Sequence, residues 1–303
     1  MKFLNCIKLV DRIKALWRFS ENLRIVFGLI VALLSIICIV MGGFPLILMS
    51  LFLISVGANE YKQFMLNIGV APFFYIITFI SFLILALTIY QQAELIPPII
   101  FLGVFLTFCA ILISNRKPYI ANISTTILGF LICWLPCHLI LLSQLRDNDY
   151  VLMGLRFHSG IIYFLILVMA VVATDMGAYI MGTRFGKTKL LEKISPGKTI
   201  FGAVSGAICS VIVTTVMCVL INSSVASGVL LGLLITVFAQ LGDLSLSVLK
   251  RDANLKHSGT LFLSYGGILD RLDSFIFSAP VVYYYVKYIH LIDSNVWFGK
   301  IFL

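Results

Sequence analysis

The chain has 303 residues, of which 61% are hydrophobic and 12% are charged, and its formal net charge is +9. Soluble domains carry about 25% charged residues, so this composition excludes an ordinary soluble protein. Apolar runs of about 20 residues recur along the chain, and runs of that length are typical of transmembrane helices. The sequence lacks the short alternating segments of a transmembrane β-barrel. It therefore predicts an all-α fold, that of a polytopic integral membrane protein.

The first 24 residues are basic and weakly amphipathic, and they include six lysines and arginines. A cleaved signal peptide would have a short apolar core followed by small residues, and that pattern does not occur here. We therefore predict that residues 1–23 form a basic cytoplasmic tail that lies on anionic lipid. The first long apolar run is expected to be a retained helix.

The apolar runs predict about nine transmembrane helices. Their expected ranges are 24–41, 44–58, 70–90, 96–114, 120–143, 160–182, 200–222, 225–249 and 275–292. The second run is short for a span and could be re-entrant. The helices divide into an N-terminal transmembrane part, 24–159, and a C-terminal half, 160–303, which carries the motifs described below.

The positive charges indicate the orientation of these helices. With the N-terminus in the cytoplasm, 18 of the 22 lysines and arginines fall on the cytoplasmic side. They lie in the tail and in the segments 59–69, 115–119, 183–199 and 250–274. Because cytoplasmic loops are enriched in Lys and Arg, this asymmetry predicts a cytoplasmic N-terminus. The net charge implies contact with anionic headgroups or an anionic substrate, and it does not call for nucleic acid.

Asp175 is a carboxylate late in the sixth predicted span. It shares one helical face with Tyr179, Gly182 and Gly186, at spacings of four, three and four, if the helix persists that far. A charge near the bilayer is costly unless it is paired or hydrated. The glycines would let a ligand or another helix approach closely. The pattern indicates either the wall of a polar site or a buried aspartate bonded to a neighbouring helix.

The segment after this span, "TRFGKTKLLEKISPGKT" at 183–199, contains five cations. "GTRFGKT" is one residue too short for a phosphate-binding P-loop and follows a membrane span, so we reject that motif. The cations still suit phosphate contact together with Ser195, Thr199 and two glycines. Ordinary positive charge on a cytoplasmic loop is the alternative.

The eighth predicted span carries a polar stripe. Gln240, Asp243, Ser247 and Lys250 follow one another at spacings of three, four and three, which places them on one face of an apolar helix. A polar stripe at membrane depth faces a bundle interior or a watery cavity. Such stripes also occur in transporters, so this feature alone does not indicate an enzyme.

The segment "YGGILDRLDS", residues 265–274, gathers further charges. Gly266–Gly267 permits close backbone approach, and Asp270 and Asp273 project from one side of a helix start. With Asp243 they would make a three-carboxylate site for Mg²⁺, a cation that prefers oxygen ligands. The cations that would face this site are Lys250, Arg251, Lys256 and Arg271. Acidic groups for a metal and basic groups for phosphates are the parts that phosphoryl or nucleotidyl transfer needs.

These residues resemble the signature of the phosphatidate cytidylyltransferases, also called CDP-diacylglycerol synthases. That signature runs S-x-x-K-R, four residues, K-D, a variable stretch and then H-G-G-x-x-D-R-x-D. The matching residues are Ser247, Lys250, Arg251, Lys256, Gly266, Gly267, Asp270, Arg271 and Asp273. Upstream, "DMGAY" and "SPGKT" resemble the family's D-T-G-A-Y and S-P-K-K-T elements. The likeness is close over about residues 170–275.

The resemblance implies that CTP and phosphatidate react to give CDP-diacylglycerol and pyrophosphate, with Mg²⁺ as cofactor. It implies a multi-pass protein of the inner (plasma) membrane, in contact with membrane lipid, whose site faces the cytoplasm. The catalytic residues it implies are Asp243, Lys250, Arg251, Lys256, Asp270, Arg271 and Asp273, and the metal ligands are Asp243, Asp270 and Asp273. The substrate-binding residues are Asp175, Tyr179, Lys187, Ser195, Lys198, Thr199, Ser247, Gly266 and Gly267.

The chain departs from the family pattern at five positions. These are Met176, Phe201, Leu246, His257 and Tyr265, which replace Thr, Glu, Glu, Asp and His. The departures leave open a diverged, inactive relative that binds lipid, and the polar stripes leave open a transporter. The oligomeric state also stays open, with a homodimer as one of the states allowed.

Overall fold

The computed structural model describes residues 37–38, 41–146, 149–152, 154–255 and 267–293. The chain divides into two compact units, residues 1–49 and 50–303. The predicted tail and nearly all of the first predicted span lie outside the described residues. In the first unit the structure therefore describes little more than the beginning of one helix.

The described part of the chain is built mainly from helices. They are α1 Gly43–Asn67, α2 Phe74–Ile89, α3 Ile96–Ser114, α4 Tyr119–Trp134, α5 His138–Ser143, α6 Ser159–Phe185, α7 Ile200–Leu220, α8 Val225–Asp252 and α9 Leu269–Asp293. Short 3₁₀ turns precede α3 at Ala93–Leu95 and join α4 to α5 at Leu135–Cys137.

Six helical stretches in the described residues are long and apolar enough to cross a membrane. They are α1, α3, the run from α4 through α5 (Tyr119–Ser143), α6, α7 and α8. Helix α2 is apolar but has only 16 residues. These stretches confirm the prediction of a helical membrane protein, while the number nine stays a prediction.

The second predicted span, 44–58, is part of a longer helix than the sequence predicts. Helix α1 has 25 residues and continues to Asn67, through most of the predicted cytoplasmic loop at 59–69. The charged residues that suggested a loop have partners in the fold. Glu60 is 5% exposed and accepts backbone hydrogen bonds, and Lys62 Nζ lies 5.0 Å from the centroid of the Phe74 ring. Contacts with distant segments therefore allow both charged residues to lie within a helix.

Two small antiparallel hairpins were not predicted. Strands β1 (Asp149–Leu152) and β2 (Leu155–His158) pair with Asp149 opposite His158. Strands β3 (Lys189–Leu191) and β4 (Ser195–Thr199) pair with Leu191 opposite Ser195 and with an irregular register. Strands of three to five residues are too short to show an alternating pattern in the sequence. The second hairpin, β3–β4, carries the basic segment.

Small residues allow α6, α7 and α8 to pack closely. A Cβ atom on Gly206 would lie 2.6 Å from the Thr174 carbonyl oxygen, and one on Gly228 would lie 2.6 Å from Thr215 Cα. Thr174 and Thr236 also share a hydrogen bond of 3.2 Å between their hydroxyls. Close backbone approach of this kind is the usual way in which membrane helices associate. Helix α9 packs in turn on α8.

The second half of α1 packs against α8 and α9. Tyr61 and Phe64 of α1 belong to one buried cluster with Leu246 of α8 and Leu269 of α9. The end of α8 and the beginning of α9 are therefore supported from one side by α1.

Candidate active site

The charged residues meet where the β3–β4 hairpin reaches the end of α8. Lys198 Nζ of β4 lies 2.5 Å from Asp243 Oδ2 of α8. Arg251 Nε, at the end of α8, donates to the Ile194 carbonyl oxygen at 2.9 Å. The described parts of the segments 183–199 and 250–274 are therefore neighbours.

Asp243 is the centre of the polar stripe on α8. Its Oδ1 accepts a hydrogen bond from Ser247 Oγ at 3.4 Å, one turn later on the same face. Gln240 Nε2, one turn earlier, donates to the Ala203 carbonyl oxygen of α7 at 3.0 Å. The stripe thus faces α7 and the hairpin, which agrees with the expectation that it turns toward other protein elements.

The fourth residue of the stripe, Lys250, pairs with the first turn of α9. Its Nζ lies 2.8 Å from Asp270 Oδ1, and the two side chains are 13% and 9% exposed. The second oxygen of Asp270 accepts from the Gly267 amide at 3.2 Å. One carboxylate therefore links the end of α8 to the turn that begins α9.

Asp273 follows Asp270 by one turn and lies beside α8. Its Oδ1 accepts from the Ser274 amide at 2.8 Å. Gly242 packs so tightly against the Asp273 carbonyl oxygen that an added Cβ atom would overlap it. This contact brings the first turn of α9 next to Asp243. The charges of Asp243, Lys250 and Asp270 all act on the Asp273 carboxyl.

Asp175 of α6 lies in the same region, since its carboxyl group interacts electrostatically with Asp243 and Lys198. Helix α6 ends at Phe185, so Gly186 is the residue after the helix and not part of its face. Tyr179, one turn after Asp175, is 72% exposed. Asp175 is itself exposed, and both interpretations of this residue stay predictions.

Thr199 has a structural role at the start of α7. Its Oγ1 accepts a hydrogen bond from the Gly202 amide at 3.1 Å, which caps the helix. The predicted close approach at Gly182 and Gly186 is made by this same side chain, because Cβ atoms at either glycine would crowd Thr199 Oγ1. These glycines thus fix the hairpin against the end of α6.

The remaining predicted residues are exposed, partly exposed or outside the described part of the chain. Lys187 and Arg271 are exposed, and Ser195 is partly exposed in β4. Lys256 and Gly266 lie outside the described residues, as do His257 and Tyr265.

The three predicted metal ligands, Asp243, Asp270 and Asp273, do not form one cluster. In the described residues no three Asp, Glu, His or Cys side chains converge in the way that a protein-only metal site requires. Asp243 is paired with Lys198 and lies near Asp273, and Asp270 is paired with Lys250 and Gly267. Mg²⁺ is usually held by one or two carboxylates, with waters and substrate phosphates completing its ligands. The pair Asp243 and Asp273 fits that mode, and a three-carboxylate site stays a prediction.

Two of the five departures from the family pattern fall on apolar surroundings. Leu246 is 6% exposed and packs in the core cluster, where it lines a small cavity with Lys250 and Asp270. The ring of Phe201 lies 5.9 Å from that of Phe185. Each change replaces a carboxylate of the family pattern, while Asp243, Asp273, Lys198 and Lys250 are all present in this chain.

Sequence reasoning missed Glu60. Its two carboxylate oxygens accept from the Ile268 amide at 3.0 Å and the Leu269 amide at 3.1 Å, at the beginning of α9. Its partners are more than 200 residues away along the chain, so no spacing rule could find them. The available signal was an acidic residue at the end of an apolar run.

The chain is similar to known cytidylyltransferases. Residues 22–289 match the cytidylyltransferase family. A phosphatidate cytidylyltransferase of Synechocystis sp. is 34% identical over 287 residues, which cover 87% of this chain and 95% of that protein. The enzyme of the same name from Staphylococcus saprophyticus is 44% identical over 126 residues, 41% of this chain and 48% of that protein. That of Staphylococcus aureus is 41% identical over 145 residues, 46% of this chain and 56% of that protein.

Proposed function

The chain belongs to the cytidylyltransferase family, and on that premise we propose that it transfers the cytidylyl group of CTP to phosphatidate. The products are CDP-diacylglycerol and pyrophosphate. The observation that carries the proposal is the meeting of Asp243 and Asp273 with Lys198 and Lys250 at one end of α8. Carboxylates and lysines in one place suit a reaction between two phosphate compounds.

The reaction needs no covalent intermediate on the protein. A phosphate oxygen of phosphatidate forms a bond to the α-phosphorus of CTP, and the bond from that phosphorus to the bridging oxygen breaks as pyrophosphate leaves. The protein must hold two polyanions in line and neutralise the charge that develops on them. A cluster of fixed cations supplies both requirements.

The two paired lysines are the best-placed phosphate ligands. An ammonium group has three N–H donors, so Lys198 and Lys250 can each keep a carboxylate partner and still donate to a phosphate oxygen. Burial strengthens these contacts, because the side chains of Lys198 and Lys250 are only 29% and 13% exposed. Further phosphate contacts are proposed for Arg251, Lys256, Arg271 and Lys187, and polar contacts for Ser195 and Ser247.

We propose Mg²⁺ as the cofactor, held by Asp243 and Asp273 with Asp270 as their neighbour. When bound, it would neutralise phosphate oxygens and lower the barrier to displacement. Asp175 would complete the polar wall, since its carboxyl interacts with Asp243 and Lys198.

We also propose that this site faces the cytoplasm, in the inner membrane of a bacterium, and that the N-terminus lies on the same side. The exposed cations Arg184, Lys187, Lys189 and Lys193 lie on the end of α6 and on the hairpin that forms the site. Positive residues of this kind accumulate on the cytoplasmic side. The residues after 160 would then form the catalytic half, and the acyl chains of phosphatidate would stay in lipid while its headgroup enters the site.

The test is turnover by the purified full chain in lipid or detergent. CTP and phosphatidate should give CDP-diacylglycerol in the presence of Mg²⁺, and little product after chelation. Phosphatidate binding without any product would instead favour an inactive lipid-binding relative, which the five departures motivate. Solute flux in vesicles without product would favour a transporter.

A further inference from the structure

The beginning of α9 is capped by a side chain from a distant helix. Each Glu60 oxygen takes one backbone donor, Ile268 N–H at 3.0 Å and Leu269 N–H at 3.1 Å. These amides belong to the first four donors of the helix, which have no partner within it. A carboxylate at this end is also favoured by the helix dipole. Glu60 thus does for α9 what a local Ser, Thr or Asp does for most helices.

The capped turn carries two residues of the proposed site. Leu269 is followed directly by Asp270, which binds Lys250, and one turn later by Asp273, which lies beside Asp243. A shift of the α9 start along its axis would move both carboxylates away from α8. Two hydrogen bonds to consecutive amides restrain both the height and the rotation of this turn.

Glu60 is itself held in place. The neighbouring Tyr61 is 1% exposed, and its hydroxyl donates to the Thr125 carbonyl oxygen of α4 at 2.7 Å. Glu60 is 5% exposed on the same turn of α1. Tyr61 and Phe64 also line a small cavity with both members of the Lys250–Asp270 pair. The support therefore runs from α4 through α1 to the first turn of α9.

We propose that Glu60 is a positioning residue for the nucleotidyl transfer, acting through the backbone of α9 on Asp270 and Asp273. This inference rests on the proposed function for its effect on rate, but the cap itself exists independently of the activity. Two accepting oxygens are needed at this position, because each takes one backbone N–H group. A glutamine has one accepting oxygen and would point an N–H₂ group at one of the two amides.

The experiment uses the full chain with Glu60→Gln, Glu60→Asp and a control, Ser224→Ala. Ser224 caps α8 at the other end of that helix, where its Oγ accepts from the Ser227 amide at 3.1 Å. The control thus removes a helix cap without touching the site. Two properties are measured, hydrogen exchange of the segment 267–273 and the kinetic constants for CTP.

Glu60→Gln should speed exchange at 267–273 and lower kcat by roughly 10- to 100-fold, since misplacing reacting groups by about 1 Å has effects of that size. The KM for CTP should change little, because the lysines on β4 and α8 remain. Glu60→Asp keeps a carboxylate on a shorter stem, so it should lie between wild type and Glu60→Gln in both properties. If Glu60→Gln does not accumulate, Glu60→Asp carries the test alone. Ser224→Ala should match wild type in both.

Wild-type exchange at 267–273 in both Glu60 variants would overturn the proposal. An equal fall in kcat in Ser224→Ala would overturn it as well, since the loss would then follow helix capping in general. If the wild-type chain shows no turnover, the proposed function fails, while the exchange measurement still decides whether Glu60 fixes the start of α9.

Discussion

At the scale of single residues, like charges lie closer together than stability alone would favour. Asp243 interacts unfavourably with both Asp175 and Asp273, and among the described residues Lys198 and Lys250 offset this repulsion. Clusters of this kind raise the free energy of the folded protein and are typical of functional sites. The cluster is therefore better explained by what it binds than by what it stabilises.

Asp273→Asn should separate function from stability. The substitution removes one of two neighbouring negative charges, so the melting temperature should stay the same or rise. Turnover should fall by roughly 100-fold or more, because the site loses a charged group that acts on the transition state.

Asp270→Asn should also abolish turnover, but it should lower the melting temperature, because it leaves Lys250 without its carboxylate partner.

Thermal unfolding and CDP-diacylglycerol formation are the two measurements. Near-normal turnover in Asp273→Asn, with normal Mg²⁺ dependence, would contradict the assignment of that residue.

Lys198→Met should disable the site while a neighbouring lysine is dispensable. Lys198 is 2.5 Å from Asp243, whereas Lys193 is exposed near the hairpin turn. Loss of Lys198 should reduce kcat/KM for CTP by roughly 100-fold, and Lys193→Met should remain close to wild type. Steady-state kinetics with CTP at fixed phosphatidate would check this, and equal losses in the two variants would refute it.

At the scale of elements, close helix contacts place the site. Helix α9 meets α8 at Gly242, the β3–β4 hairpin meets α6 through Thr199, and Arg251 ties α8 to the hairpin turn. Each contact joins neighbouring elements at the end where the charges gather. The site is thus assembled by backbone approach between helices, with small residues at the points of contact.

Gly242→Ala should move the start of α9. The added methyl group would overlap the Asp273 carbonyl oxygen, a backbone atom that cannot rotate away. Overpacking of this kind costs about 1–3 kcal/mol, so both the melting temperature and the turnover should fall. Gly57→Ala is the matched control, because its Cβ atom would lie 3.6 Å from Leu269 Cδ2, an ordinary contact on the same side of α9. A Gly242→Ala protein that resembles the control would show that this contact does not position the carboxylates.

Particular elements show how far the sequence alone could lead. The apolar runs located α3, α6, α7 and α8 to within a few residues, because run length and hydrophobicity are local properties. The spacing of Gln240, Asp243 and Ser247 placed the polar stripe on one face for the same reason. The length of α1, the β3–β4 hairpin and the Glu60 cap were missed because they depend on contacts with distant segments. The pairing of Lys198 with Asp243 required the same long-range information.

At the scale of the whole molecule, the distribution of charge follows the proposed site. The basic hairpin, the end of α8 and the start of α9 carry most of the described cations that belong to the C-terminal half. The same charges set the predicted orientation and the predicted chemistry. The proposed orientation and the proposed chemistry therefore depend on the same residues.

Labelling of single cysteines would test this orientation on a background without the native cysteines. A cysteine at Lys193, on the hairpin, should react only with a reagent on the cytoplasmic side. A cysteine at Asn222, in the turn between α7 and α8, should react from the other side, because α7 separates it from the hairpin. Labelling of positions 193 and 252 from opposite sides would contradict the account, since Arg251 and Ile194 are in direct contact.

The central claim is that this chain makes CDP-diacylglycerol with the cluster around Asp243 and Asp273. The most direct measurement is product formation from CTP and phosphatidate by the purified full chain, run beside Asp273→Asn at matched protein and with and without Mg²⁺. The account predicts Mg²⁺-dependent product from the wild-type chain and almost none from the variant. Folded wild-type protein that binds phosphatidate but forms no product, or a variant as active as wild type, would contradict it.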